Sequence, residues 1–115
     1  MATTAHATGT QTATVTTEHA VSTVTVAGVF SFHIDVNAMV AGDVTEFRVY
    51  QIVLTAGTKR VVFFHTLYGA QPTDDKILVS LPIGNELTDA SSLEFSLKQT
   101  FGTGRAYPFK ILKYA

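Results

Sequence analysis

The chain contains no cysteine and no tryptophan. Without cysteine there is no disulfide framework, no thiol nucleophile and no thiolate metal site, so stability has to come from packing or association. No uninterrupted apolar run approaches the roughly 20 residues that a membrane-spanning helix needs, and the N-terminus lacks the basic and apolar regions of a secretory signal. These absences predict synthesis and folding in a cytoplasm, with no membrane partner.

Basic residues are missing from the first part of the chain, where the earliest is Arg48. Over the whole sequence, 8 lysines and arginines against 9 acidic residues give a net charge of −1. Proteins that bind nucleic acid normally cluster lysine and arginine to neutralise phosphates. The charge balance therefore argues against a nucleic-acid partner.

Charged residues of either sign are also scarce, since 15% of the chain is charged and 46% is hydrophobic. The 115 residues suffice for one domain with a single core. Apolar surface beyond the needs of one core is expected to be covered in an oligomer or against a larger partner.

The segment 1–25 has no aromatic residue and contains ten threonines and five alanines. Because it offers too little bulky apolar surface to offset the entropy of ordering, at least residues 1–12 are predicted to form an extended or disordered arm. Residues 13–26 are richer in valine and predict one or two weak strands. The predicted division is an arm at 1–25 and a body at 26–115. Threonine and valine suit pairing with a partner's sheet edge, although a tail without a role has the same composition.

The body is predicted to be all-β because apolar and polar residues alternate in two clear runs. Phe30, Phe32 and Ile34 alternate with polar residues within 29–36, and a second alternation runs from 93 to 98. No segment shows the period of an amphipathic helix. The expected fold is a single β-sandwich or jelly roll of about seven or eight mostly antiparallel strands, with an extended N-terminal arm.

The stretch from Val44 to Tyr68 has the form of a β-hairpin, with two apolar runs around the short segment TAGTK. Its second run carries apolar side chains on both faces, which favours a central position with cover on both sides. One face is expected in the protein's own sandwich and the other in a second subunit. Phe64 and Tyr68 are therefore predicted interface residues.

One group of polar residues has the composition of a metal or acid–base site. His33 and Asp35 lie two apart on the wetter side of a predicted strand, and Glu46 or His65 of the hairpin could join them. Polar residues at this spacing are also what the solvent face of any strand looks like. We favour the solvent face, and we expect His65 to be a hydrogen-bonded core or interface residue.

Two loop segments invite a ligand interpretation that the sequence supports weakly. Asp74 and Asp75, with Asp89, could surround a calcium ion, but the spacing of a dedicated calcium loop is absent. Gly102–Arg105 resembles an anion-binding nest, yet it lies between two strands and is explained by a hairpin turn. No serine or threonine sits in a recognisable nucleophile motif. The sequence therefore predicts neither an enzyme nor a cofactor.

Two segments resemble a known group of proteins: FSFHIDVNAMVAGDVTEFRVYQIVLTAGTKRVVFFHTLYGAQ and LEFSLKQTFGTGRAYPFKIL. A turn of the type DVNAM, the pattern GDxxExR, a hairpin, and LKQTxGTGR before an aromatic-rich last strand are similar to capsid decoration, or cement, proteins of tailed bacteriophages. The resemblance covers roughly residues 30–112.

The resemblance implies a β-sandwich or jelly-roll protein that binds the major capsid protein on the outer surface of the virion, commonly as a homotrimer. It supplies no catalytic residues. The arm residues expected to contact the capsid are Thr10, Thr12, Thr14, Val15, Thr16 and Val21. The residues expected at the oligomer interface are Phe64, Tyr68, Tyr107 and Tyr114.

Two other functions remain open at this point. A tail or head-fibre adaptor module would share the β fold and occur in fewer copies per particle. A carbohydrate-binding β-sandwich should expose aromatic residues on one concave face. The tyrosines that could do so are Tyr50, Tyr68, Tyr107 and Tyr114, and the lack of tryptophan weakens this alternative.

Overall fold

The structure, a computed structural model, describes residues 3–53, 57–85 and 93–114. Within these ranges the chain forms nine strands and no helix, which confirms the predicted all-β class. The strands are β1 (Thr3–Thr12), β2 (Glu18–Val24), β3 (Gly28–Asp35), β4 (Val44–Gln51), β5 (Arg60–Tyr68), β6 (Ile77–Val79), β7 (Ile83–Asn85), β8 (Leu93–Phe101) and β9 (Ala106–Tyr114). The described ranges contain no helix long and apolar enough to cross a membrane.

The strands form two antiparallel sheets. Sheet 1 has the order β1-β9-β3-β6, with β7 also paired to β3, and sheet 2 has the order β2-β8-β4-β5. The pairs are nested along the chain, since β1 meets β9, β2 meets β8, β3 meets β6 and β7, and β4 meets β5. The chain can therefore be described as one long hairpin of nested strand pairs. Going from its ends to its tip, the pairs lie alternately in sheet 1 and in sheet 2.

The sheets pack face to face through the alternating residues that the sequence pointed to. Phe30, Phe32 and Ile34 of β3 are buried, as are the three apolar residues of the alternation in β8. The rings of Phe32 and Phe95, one from each sheet, lie 5.4 Å apart between centroids. These contacts confirm both predicted alternations and define the core between the sheets.

The N-terminal residues lie in the sheets and do not form a separate arm. Residues 3–12 are extended, as predicted, but they pair with β9 from Thr3 to Thr12 as the edge strand of sheet 1. Residues 18–24 pair with β8 at the edge of sheet 2. β1 is ordered by its backbone hydrogen bonds to β9, since it has no bulky apolar side chains to pack. The two strands approach closely at Gly9, where a Cβ would lie 3.2 Å from the Phe109 ring. Residues 3–12 and 18–24 therefore lie in the same two sheets as the strands that follow residue 25.

The predicted hairpin is present as β4 and β5, but only its first strand is central in the sheet. β4 lies inside sheet 2 between β8 and β5, whereas β5 pairs with β4 alone among the described strands. The apolar side chains on both faces of β5 therefore reflect an edge strand with exposed surface. Residues 54–56 of the connecting loop lie outside the described ranges.

β9 contains Pro108, and a proline within a sheet normally lies on an edge strand or at a bulge. β9 is instead an interior strand between β1 and β3. Pro108 is paired with Thr10 of β1, and the pairing of β9 with β3 ends one residue away at Phe109. Proline is tolerated here because the ladder towards β3 no longer needs an N–H at this position.

Candidate functional site

A buried amide organises the turn between β8 and β9. Gln99 is fully buried, and its Nε2 donates to the carbonyl oxygens of Phe101 at 3.0 Å and Thr103 at 2.7 Å. Its Oε1 accepts from the backbone N–H of Arg105 at 3.0 Å and from the Tyr107 hydroxyl at 3.3 Å. One side chain thus satisfies four polar groups, and the loop conformation depends on it.

A buried ion pair ties this turn to the segment before β4. The Nε of Arg105 donates to Oδ2 of Asp43 at 2.8 Å, and the Asp43 side chain is 1% exposed. Burial alone raises the pKa of Asp43. The hydrogen bonds from Arg105 and the Val40 backbone, with the guanidinium charge, outweigh burial and hold this pKa below its usual value. Asp43 is therefore ionised at neutral pH.

The two glycines of the turn are required by close approaches. Gly102 has a φ of 93°, and a Cβ there would overlap Oδ1 of Asp43. A Cβ on Gly104 would overlap the carbonyl oxygen of Ala13, next to the point where Ala13 N–H donates to Arg105 O at 2.8 Å. The GTGR segment is thus a packed hairpin turn, and the Arg105 guanidinium is bound to Asp43.

The residues of the possible metal or acid–base site do not form one. The Nε2 of His33 is 2.8 Å from Ser31 Oγ, Asp35 accepts from the Asn37 backbone N–H, and Glu46 pairs with Arg48 at 2.8 Å. His65 is exposed on β5, which excludes the core position of the prediction, while the interface position stays a prediction. Among the described residues, no three histidine or acidic side chains are grouped to hold a metal ion.

Asp74 and Asp75 are exposed in the loop before β6. Asp89, the third residue of the possible calcium group, lies outside the described residues. The segment 83–85, which follows that loop and β6, forms β7 and pairs with β3.

Three ionisable groups make the free energy of unfolding depend on pH. Burial, and then the nearby Lys110 charge, lower the pKa of His33. Burial raises the pKa of Glu18, but hydrogen bonds from Tyr50 and Ser96 outweigh it and lower that pKa overall. The pKa of Asp43 is lowered as well. For each group the folded state binds fewer protons than the unfolded chain, so acid favours unfolding.

We expect the free energy of unfolding to decrease in two steps as the pH falls. His33 produces the first step, which begins near its usual pKa of about 6.5 and ends at its lower folded pKa. The carboxylates of Asp43 and Glu18 produce the second, below about pH 4.5. Urea unfolding across this range measures both. His33→Gln should remove the first step alone, and a variant that keeps it would exclude His33 as the source.

A polar groove of about 260 Å³ lies on the outer face of sheet 2. Glu18 Oε2 accepts hydrogen bonds from Tyr50 at 2.6 Å and Ser96 at 2.7 Å, and Lys59 pairs with Glu94 at 2.7 Å. The Lys59 ammonium also lies 4.9 Å from the centre of the Tyr50 ring. The polar groups and the aromatic face of the groove are thus engaged with one another.

The four tyrosines do not make a shared aromatic platform. Tyr50 and Tyr68 lie on sheet 2, at opposite ends of the β4–β5 ladder. Tyr114 lies in sheet 1, where its hydroxyl is 2.9 Å from Ser31 Oγ. Tyr107 is in the core. The carbohydrate-binding alternative therefore lacks the geometry it requires in the described part of the chain.

The predicted interface residues divide into exposed and buried ones. Phe64 is 51% exposed and Tyr68 is 72% exposed, both on β5. Tyr107 is 0% exposed, and its hydroxyl is 2.7 Å from Thr45 Oγ1. Its prediction as an interface residue is wrong, because two buried polar partners satisfy the hydroxyl inside the core. Tyr114 is half-buried.

We define the β5 edge as residues 61–68 of β5. Val61 and Val62 are also nearly half exposed, and the Arg48 guanidinium lies 4.7 Å from the centre of the Phe64 ring. The β5 edge is an apolar strand with one unpaired side among the described strands.

The predicted capsid-contact residues lie along β1 and the turn that follows it. Thr10, Thr12, Thr14 and Thr16 are exposed, whereas Val15 is half-buried. Val21 is half-buried and packs against the core. We define the β1 edge as residues 3–12, whose free side faces away from β9.

Sequence reasoning missed Gln99 and Asp43. A signal for Gln99 was available, because it continues the inward-facing positions 93, 95 and 97 of the same strand. Asp43 gave no such signal, since its partner Arg105 is 62 residues away. The two motifs GDxxExR and LKQTxGTGR meet through this pair.

No protein-family model, no curated protein and no solved structure matches this chain.

Proposed function

We propose that the protein is a structural virion component that binds the outer surface of a tailed-phage capsid and stabilises it as a decoration protein. The free β1 edge is the observation that carries this proposal. It is ten residues long, pairs only with β9 among the described strands, and is rich in exposed threonine. An open strand edge offers unpaired backbone groups to a strand of another protein.

The composition of the β1 edge suits a hydrated protein surface. It has no lysine, arginine or acidic residue. Thr8 and Thr10 lie opposite Lys110 and Pro108, so their side chains share the outer face of sheet 1 and point away from the core. Backbone pairing would supply affinity, and threonine methyl and hydroxyl groups would fill shallow contacts beside it. The partner in this proposal is the major capsid protein.

We also propose that the fold is a jelly roll, the more specific of the two architectures predicted from the sequence. The nested strand pairs and the placement of β1 beside β9 and β2 beside β8 support this wiring. Jelly rolls are common in viral capsid proteins and in lectins, so the wiring is compatible with a virion role without requiring it.

The protein would act on the capsid exterior after synthesis in the bacterial host cytoplasm, without catalysis or a cofactor. Many copies on one shell stabilise it by avidity even where each contact is weak. The resemblance in 30–112 supports the virion setting, and the convergence of its two motifs at Asp43 and Arg105 shows that they belong to one structural unit.

Thr10→Lys tests the β1 edge. A lysine on a free edge opposes pairing with another strand, so we expect capsid occupancy to fall on the order of tenfold, which corresponds to about 1.4 kcal/mol. Co-sedimentation with capsids of the encoding phage, prepared without the protein, measures occupancy. A point substitution is preferable to deletion, because removing 1–25 would take one strand from each sheet.

Thr23→Lys is the matched control, because Thr23 is an exposed threonine on β2, the edge strand of sheet 2. It should bind like the wild type. Equal occupancy of Thr10→Lys and wild type would refute the β1 edge as the contact. Failure of the wild type to bind would refute the decoration function itself.

A further inference from the structure

Apart from one bulge at Val62 near its start, the β5 edge lacks the features by which edge strands normally avoid pairing. Positions 61–68 contain no proline, no lysine and no acidic residue. Four of its apolar side chains, Val61, Val62, Phe64 and Tyr68, are 45–72% exposed. A long apolar edge of this kind is a template for another strand unless something covers it.

The other strand edges in the described ranges are better protected. β6 has three residues and is followed closely by Pro82. β2 begins at Glu18 and is interrupted by a bulge at Val21. β1 is bulged at His6 and carries threonine, alanine and glycine in place of large apolar side chains. β6 is apolar as well but short, so the β5 edge is the long apolar edge among the described strands.

We propose that the β5 edge pairs antiparallel with the β5 edge of a second copy of this chain, with Thr66 opposite Thr66 of the second copy. The two four-stranded sheets would then continue as one sheet of eight strands. The flat part of the strand runs from Phe63 to Tyr68, because Val62 is the extra residue of a bulge against Val49 and Tyr50. The pairing is therefore centred within this part.

The faces of the sheet restrict the register. Phe64, Thr66 and Tyr68 lie opposite Arg48, Glu46 and Val44, on the outer face of sheet 2. A twofold axis perpendicular to the sheet keeps outer residues opposite outer residues. Only registers in which the twofold axis passes between two copies of the same residue satisfy this condition. In the flat part from Phe63 to Tyr68, the residues nearest the middle are His65 and Thr66, which are the candidates for the central residue.

The side chains select Thr66 as the centre. This register places Phe64 opposite Tyr68 of the second copy twice, and the two Thr66 side chains opposite each other. Aromatic pairs and threonine pairs are favourable across antiparallel strands. Centring on His65 would place two histidines face to face and set Phe64 against threonine. In the Thr66 register no like charges meet, because Arg60 is the only charged residue of β5 and lies at its far end.

This pairing is isologous and closes with two copies. It differs from the trimer that the family resemblance implies, and it goes beyond the decoration function because it needs no capsid. Failure of capsid binding would leave it intact, and failure of self-pairing would leave the β1 edge available.

Sedimentation equilibrium of the purified chain tests the pairing. The wild type should have twice the monomer mass of 12.4 kDa. Thr66→Glu and Thr66→Lys should each weaken the dimer on the order of tenfold or more, since like charges would face each other on the axis. A mixture of the two variants should restore the dimer, because glutamate then faces lysine. Thr10→Glu, on the β1 edge, is the matched control and should leave the mass unchanged.

Phe64→Asp provides a second variant with its own control. It should give a monomer with an unchanged circular dichroism spectrum, whereas Phe101→Asp should remain dimeric. Phe101 is 66% exposed and lies on β8, two strands from the β5 edge. A wild-type monomer or trimer, a mixture that stays monomeric, or a dimer that survives Phe64→Asp would each overturn the proposal.

Discussion

Asp43→Ala is expected to lower the free energy of unfolding by about 3 kcal/mol, because removing one partner of a buried ion pair leaves the other uncompensated. The Arg105 side chain is 27% exposed, which places the effect at the low end of such losses. The Val40 backbone N–H also loses its acceptor, 3.0 Å away. Urea unfolding at neutral pH measures the change.

Glu46→Ala is the matched control for this experiment. Glu46 and Arg48 also form a 2.8 Å pair, but the two side chains are 22% and 21% exposed. Solvent screens such a pair, so the loss should be at most about 1 kcal/mol. Equal losses for Asp43→Ala and Glu46→Ala would mean that the buried pair does not hold the β8–β9 turn.

Gln99→Leu is expected to cost about 2–3 kcal/mol, because a buried group that loses its hydrogen-bond partner bears its full desolvation penalty. The substitution preserves much of the side-chain volume while leaving the carbonyls of Phe101 and Thr103 without their amide donor. The Arg105 N–H loses its acceptor as well. The same urea experiment gives the magnitude.

Thr100→Val controls for a change at the neighbouring position. Thr100 makes one long side-chain hydrogen bond, 3.4 Å to the Val44 carbonyl, so the loss of unfolding free energy in Thr100→Val should stay well below that in Gln99→Leu.

Because Asp43 and Gln99 both bind Arg105, the double variant Asp43→Ala/Gln99→Leu should deviate from additivity by at least about 0.5 kcal/mol. Additive losses would show that the two contacts stabilise the turn independently.

The strands of the core could be predicted from the sequence because burial on one face imposes a period of two. Phe30, Phe32 and Ile34 follow this period, and all are buried. The position of β5 could not be read in the same way. Its apolar residues occur on both faces, a pattern shared by a covered central strand and by an edge strand with an exposed apolar surface.

The N-terminal strand was missed because its order does not come from its own side chains. β1 is held through pairing with β9 at the other end of the chain, a partner that local composition cannot indicate. Tyr107 was misplaced for a related reason. It was predicted at the oligomer interface, whereas Thr45, 62 residues away in the sequence, and Gln99 of the preceding strand satisfy its hydroxyl inside the core.

The number of copies of this protein in each particle tests the decoration function most directly. Quantitative mass spectrometry of virions purified from a host that carries the gene, referenced to the major capsid protein, measures it. Decoration predicts a copy number that scales with the capsid subunits over the whole shell. A few copies, as expected of an adaptor at one vertex, or none at all, would contradict it.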